Sequence, residues 1–148
     1  MQNQLVVFRI GNEFYGVDIS AVEGIIKMQD ITKLPHAPEF IEGVTNLRGA
    51  VVPILDLRKR FGLESESHTR ETRIVTVNMN GIHVGLIVDA VTQVVHVADD
   101  VIEPPPQMSV TIGSAFIKGI AKLEGLLIIL LDLGKVLSLE EKDRLAVI

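Results

Sequence analysis

A chain of 148 residues with no cysteine cannot build a disulfide framework or a thiolate metal site. Its net charge of −5 is spread evenly, 10 acids and 8 bases in residues 1–71 against 9 and 6 in residues 72–148, so it offers no basic face to nucleic acid. Apolar residues make up 47% of the chain but aromatics only 4%, so the core has to be packed from Val, Ile and Leu, the residue types that favour strands.

In chain order, the opening residues MQNQLVVFRIGNEF carry no basic lead and no long apolar run, which points to a cytoplasmic chain rather than an exported one. LVVFRI, the turn Gly11-Asn12 and FYGVDI read as a hairpin of two short strands. VTNLR, Gly49 and AVVPIL follow after a connector from Lys27 to Glu39, giving five or so strands in the first half. Pro53 has no N–H for a ladder, which places it at an edge or a bulge. Asp56 followed by LRKRF and Gly62 reads as N-cap, short helix and C-terminal glycine. The basic run Arg58-Lys59-Arg60 is then expected on the solvated face of that helix rather than as a phosphate patch. In the second half Asn80-Gly81 marks a tight turn, Leu126–Leu131 is the most apolar run, and Asp132 repeats the place of Asp56. Six apolar residues fall far short of the ~20 that a membrane-spanning helix needs. Ser138-Leu139-Glu140-Glu141 has capping-box spacing, so a final helix is expected over about 139–145.

The two halves are copies. At an offset of 76, FIEGVTNLRGAVVPILDLRKRF (40–61) and FIKGIAKLEGLLIILLDLGKVL (116–137) agree at nine of 22 positions; earlier, at an offset of 69, LVVF echoes IVTV and GVDISAV echoes GLIVDAV. The shift of seven falls in the connector, which is longer in the second copy and contains Pro104-Pro105-Pro106. The repeat units are about 5–61 and 74–137 within one domain of 1–148. Five-stranded pieces this small avoid exposed edges by closing, so each unit is expected to contribute a small barrel.

A repeated aspartate suggests a hydrolase in which Asp56 and Asp132 share a proton. Such sites need a Ser/Thr-Gly turn after each Asp, whereas Leu57-Arg58 and Leu133-Gly134 follow here, as helix caps would have it. His36, His68, His83 and His96 show no metal-ligand spacing, and no serine sits in a nucleophile elbow. No catalytic constellation, cofactor motif or metal motif emerges, so a binding module is the expected class.

The copies differ on one face. Along Val44–Arg48 and Ile120–Glu124, alternation turns Thr45/Leu47 and Ala121/Leu123 inward and Val44/Asn46/Arg48 and Ile120/Lys122/Glu124 outward. The inward set barely changes, while the outward set goes from Asn to Lys and from Arg to Glu, as when two barrels meet different neighbours. Ala50–Leu55 and Leu126–Leu131 are apolar on both faces, so their outer side has to be covered too, by the other barrel.

Gly43-Val44-Thr45-Asn46-Leu47-Arg48-Gly49, Val52-Pro53-Ile54 and Asp56-Leu57-Arg58 resemble the signature of the CheW family of bacterial chemotaxis coupling proteins, and Tyr15–Ile19, Val22 and Val84–Asp89 extend the resemblance over nearly the whole chain. It implies a mostly β fold of two intertwined SH3-like five-stranded β-barrels with short helices, no enzymatic activity and no cofactor. It also implies an adaptor between the cytoplasmic hairpin tips of chemoreceptors and the regulatory domain of the histidine kinase CheA. Such a protein is cytoplasmic and is recruited to the inner face of the membrane through receptors, without inserting. A regulatory or receptor-docking CheW-like module of another two-component pathway is the alternative within the same fold. Carried over by position, receptor binding falls to Val22, Asn46, Arg48 and Val51 on the first barrel with Ile74 and Leu86 near the seam. Kinase binding falls to Gly85, Val91 and Gly119 on the second barrel. The chain departs from the family where many members place a Glu two residues after the position of Val22; here Gly24 stands there, beside Glu23.

Overall fold

The structure is a computed structural model that describes residues 2–64, 67–79, 81–104, 116–123 and 125–136. The expected C-terminal helix, Asn80 and Glu124 lie outside the described residues. The first unit forms the hairpin β1 (Gln2–Ile10) and β2 (Glu13–Asp18), then β3 (Val22–Lys27), the hairpin β4 (Ile41–Leu47) and β5 (Ala50–Asp56), and the helix α1 (Leu57–Arg60). The second unit repeats the order with β6 (Arg73–Met79), β7 (Ile82–Val88), β8 (Ala90–Ala98), a two-residue β9 (Ile102–Glu103) in the longer connector, β10 (Ile117–Leu123), β11 (Leu126–Leu131) and α2 (Leu133–Val136).

The strands do not pair unit by unit. A six-stranded sheet runs β8-β1-β2-β11-β10-β9 and a five-stranded sheet runs β3-β6-β7-β5-β4. Each sheet takes the opening hairpin of one unit and the later strands of the other, which makes the intertwining literal; among the described residues both ladders are open orders. The junctions are two parallel contacts, Ile54 opposite Gly85 between β5 and β7 and Leu130 opposite Gly16 between β11 and β2. The repeat offsets convert one pair into the other. Glycine lets the strands approach closely at both, more tightly at the first: a Cβ on Gly85 would stand 2.7 Å from Ile54 Cδ1 and Ile74 Cγ2, and one on Gly16 3.0 Å from Ile128 Cγ2 and 3.4 Å from Leu130 Cδ2.

Period-two alternation then divides the apolar residues among three cores. Leu5, Val7, Ile128 and Leu130 close on Val97 and Ala121 within the six-stranded sheet, and Val52, Ile54, Ile74 and Ile87 do the same within the five-stranded one. The intervening residues Val6, Phe8, Val17 and Leu131 meet Leu55, Val75, Val77 and Leu86 in a larger seam core drawn from both sheets. That seam covers β5 and β11 only in part, taking in Leu55 and Leu131 while Val51 and Leu127 at the hairpin ends stay exposed, and each fully buried Leu, Ile or Val contributes about 1.5–3 kcal/mol through burial.

Two local expectations are corrected. Pro53 is on β5, an inner strand, not an edge; the bulge beside it is carried by its partner strand β4, between Ile41 and Gly43. It is tolerated because its partner Val44 exchanges both backbone bonds with Thr32 instead (2.8 and 2.9 Å), and the parallel ladder to β7 begins only at Ile54. Asp56 does cap α1, its Oδ1 accepting from the Arg58 N–H at 2.9 Å, and Asp132 Oδ1 accepts from the Gly134 N–H at 3.0 Å. The basic run after Asp56, however, is not a solvated face. Lys59 meets Glu42 Oε1 at 2.6 Å, and Arg58 and Arg60 reach across the seam.

Candidate docking surface

The exposed end of the five-stranded sheet is the β4–β5 hairpin. Leu47 and Ala50 pair across a two-residue turn whose central residues, Arg48 and Gly49, both have positive φ (53° and 85°). This is the type I′ geometry whose twist suits a two-residue hairpin, and it normally selects Asn or Gly. Asn46 Oδ1 accepts from the Gly49 N–H at 2.9 Å and stabilises the turn. Arg48 is therefore at the tip of the turn rather than on a strand face, held in a backbone region unfavourable for a residue with a Cβ. Asn46 stands directly opposite Val51, which is 58% exposed, so Asn46, Arg48 and Val51 form one continuous surface. A shallow depression beside it is lined by Gln29, Asp30, Thr32, Val44, Thr45, Asn46 and Val51, with the Thr45 hydroxyl donating to the Asp30 carbonyl at 2.7 Å.

The other expected residues sit elsewhere. Ile74 and Leu86 are fully buried, one within the five-stranded sheet and one in the seam, so neither side chain presents a surface to a receptor. Val22 and Val91, equivalent at an offset of 69, are both half-buried against the seam core. Gly85 belongs to the same sheet as Asn46 and Val51, not to the sheet of Val91 and Gly119, and it is buried. Gly119 is buried beneath β9; a Cβ there would stand 2.9 Å from the Glu103 carbonyl oxygen. The expected kinase set thus does not form one patch, because strand exchange separates its members.

Sequence reasoning passed over a second tip. Leu127, the repeat equivalent of Val51, is also 58% exposed, and it pairs with Lys122, the equivalent of Asn46. Lys122 makes a 3.2 Å ion pair with Glu103, which stands opposite Ile120 where the first unit has Thr32 opposite Val44. Mapping Val51 through the 76-residue offset would have found Leu127. Ile25 and Val94 are likewise equivalent exposed apolar residues, at 44% and 48%, on the edge strands β3 and β8.

Glu23 is the extra residue of a β-bulge in β3, where Val22 opposes Val77 and Gly24 opposes Thr76. Its carboxylate meets His83 Nδ1 at 2.6 Å on the exposed sheet surface. The two repeated aspartates each serve their own helix. Asp132 lines a depression with Asp18 and Lys118, whereas Asp56 is buried; burial and, secondarily, the Glu42 carboxylate raise its pKa. Among the described residues no helix is long and apolar enough to cross a membrane, and no group of three His, Asp or Glu is placed to hold a metal ion.

The sequence pattern of the CheW-like domain family matches residues 4–141. The chain is 38% identical over 138 residues to the chemotaxis protein CheW of Klebsiella aerogenes, covering 93% of this chain and 83% of that one. It is 36% identical to CheW of Treponema pallidum, with coverages of 98% and 88%. The crystal structure of the scaffolding protein TtCheW from Thermoanaerobacter tengcongensis superposes with a TM-score of 0.88 at 42% identity, covering 95% of this chain and 96% of that one. The chain belongs to the CheW-like family.

Proposed function

We propose that this CheW-like chain is a non-enzymatic chemotaxis adaptor that joins the cytoplasmic hairpin tips of chemoreceptors to the regulatory domain of the histidine kinase CheA. It works in the cytoplasm at the inner face of the membrane, where receptors recruit it. The observation that carries this reading is a pair of repeat-related hairpin tips on two different sheets, equally apolar at Val51 and Leu127 but unlike in their polar residues, Asn46 against Lys122. Two similar surfaces with different charge suit two different partners. The receptor is assigned to the tip of Asn46, Arg48 and Val51, with Val22 beside the seam; Ile74 and Leu86 support that sheet from beneath. The kinase is assigned to the other sheet, around Val91 and the strand that carries Gly119, with Gly85 acting through packing alone.

Bridging both partners raises their effective concentration toward each other, so weak contacts hold an assembly together without any chemistry. The test is titration of the chain against a receptor cytoplasmic fragment and a CheA regulatory domain, separately and together. The reading expects each to bind and a ternary complex to form; competition between the two for one surface would overturn it.

A further inference from the structure

The chain has five Phe and one Tyr, and all but Phe14 of these gather at the seam. Phe8, Tyr15, Phe61 and Phe116 follow one another at ring separations of 6.2, 5.3 and 5.9 Å. At the end of that row the Arg60 guanidinium lies over two rings at once, 4.5 Å from the centroid of Phe40 and 4.9 Å from that of Phe116. Its Nε–H donates to the Val136 carbonyl at 2.8 Å.

These contacts join corresponding points of the two repeats. Phe40 and Phe116 are equivalent, each accepting at its carbonyl from the N–H of the aspartate that caps its unit's helix (Asp56 and Asp132, both 2.8 Å). Arg60 is equivalent to Val136, so a single cation from one unit holds both rings and the backbone of its own counterpart, and the equivalent position of the second unit carries no charge. Phe40 immediately precedes β4, which leads to the Asn46–Val51 tip, and Phe116 immediately precedes β10, which carries Gly119 and leads to the Leu127 tip. The guanidinium therefore stands between the roots of the two hairpins. Cation–ring attraction is strengthened where the charge is withdrawn from water, and a planar fork that also donates to a carbonyl fixes direction as well as distance.

We infer that Arg60 is a positioning residue that sets the orientation of the two hairpins toward each other, so that engagement of one docking surface is felt at the other. The positioning role stands on the geometry; its consequence for coupling rests on the adaptor reading above.

The absence of native cysteine permits a direct test. Cysteines introduced at Ala50 and Lys122 carry spin labels on the two hairpins, and their distance distribution is measured without either partner in the intact chain with Arg60, Arg60→Gln and Arg60→Lys. Arg60→Gln should broaden or shift the distribution. Arg60→Lys, which keeps a cation over the rings but loses the Nε donor, should fall between, and it decides the question if the Gln variant does not fold. Unchanged distributions in the folded variants would overturn the positioning role. In a second arm the kinase regulatory domain is titrated into the chain with and without saturating receptor fragment. The unsubstituted chain should show at least about a fivefold enhancement, falling toward one in Arg60→Gln while each separate affinity stays within about twofold. Equal enhancement in both proteins, or none in the unsubstituted chain although both partners bind, overturns the coupling and leaves the adaptor reading standing. Failure of both partners to bind sinks the adaptor reading instead, and the label distances alone then decide the inference.

Discussion

Arg58 and Asp89 hold the two repeats together with a bidentate ion pair, Nη2 to Oδ2 at 2.6 Å and Nε to Oδ1 at 3.0 Å, between the helix of the first unit and the β7–β8 corner of the second. Asp89 Oδ2 also accepts from the Gly11 N–H at 2.7 Å, so one carboxylate ties α1 to the turn of the opening hairpin. The Arg58 side chain is 12% exposed and that of Asp89 23%, which sets this pair apart from surface ion pairs of negligible worth.

Asp89→Asn keeps an acceptor for Gly11 but removes the charge. Hydrogen bonds to charged groups contribute about 1.5–3 kcal/mol, and partial exposure places the expected loss at the lower end of that range in a denaturant titration at neutral pH. Burial alone would raise the Asp89 pKa, but the hydrogen bonds from Arg58 and the Gly11 N–H, with the Arg58 charge, bring it below the ordinary 3.8. A depressed carboxylate contributes stability that is present above the unfolded value and lost as pH falls below it toward the folded one. The gap between native and Asp89→Asn midpoints should therefore narrow in acid. A gap independent of pH would contradict the ion-pair account.

Asp56 has the opposite sign. Its pKa is raised, first by burial and then by Glu42, so above 3.8 the native state holds its proton more tightly than the unfolded chain does, and stability falls as pH rises through that window. Asp56→Asn preserves the Oδ1 acceptor without a buried charge and should melt at or near the native midpoint at neutral pH. Asp56→Ala removes the cap and should cost about 0.5–2 kcal/mol. Equal damage from Asn and Ala would show that the charge, not the cap, is what the site needs.

Gly85→Ala inserts a methyl group 2.7 Å from the buried ends of Ile54 and Ile74. Overpacking of this kind costs about 1–3 kcal/mol. Gly81→Ala, whose Cβ would meet nothing within 4 Å, should lose only what its φ of 94° imposes. Thermal melts of the two variants separate crowding from backbone strain. Kinase affinity in Gly85→Ala should fall only as far as the sheet is disturbed.

Arg48 separates stability from recognition. Its φ of 53° is one that glycine adopts freely, so Arg48→Gly should leave the melting midpoint unchanged or raise it. The same change, like Arg48→Ala, removes a five-donor fork suited to carboxylates or helix-end carbonyls. Receptor-fragment affinity should fall by about one to two decades, with kinase affinity within a few-fold. Glu124→Ala, the repeat-equivalent substitution, should leave receptor affinity nearly unchanged. Unchanged receptor binding in Arg48→Ala, or an equal loss from Glu124→Ala, would place the receptor elsewhere.

Much of this architecture is local and could be read from the chain. Gly11, Gly49 and Gly81 mark turns because positive φ is a property of single residues, and Asp56 caps α1 because the donor it needs lies two residues on. The alternation of Thr45 and Leu47 with Asn46 predicts which side chains face inward, since each strand fixes its own period. The repeat also displayed, through Val51 and Leu127, a second tip that had only to be mapped. What alternation cannot specify is a strand's partner. Val6 and Leu5 show that both faces of β1 are buried, but not that β8 of the other unit lies beside it. That choice is made by the closing of long-range ladders. Once β1 and β2 cross into the other unit's sheet, Ile74 and Leu86 disappear into cores, Gly85 parts from Gly119, and Arg58 and Arg60 leave solvent for Asp89 and for two phenylalanines. Burial and ion pairing of those side chains depend on residues tens of positions away, so only the tertiary structure could decide them.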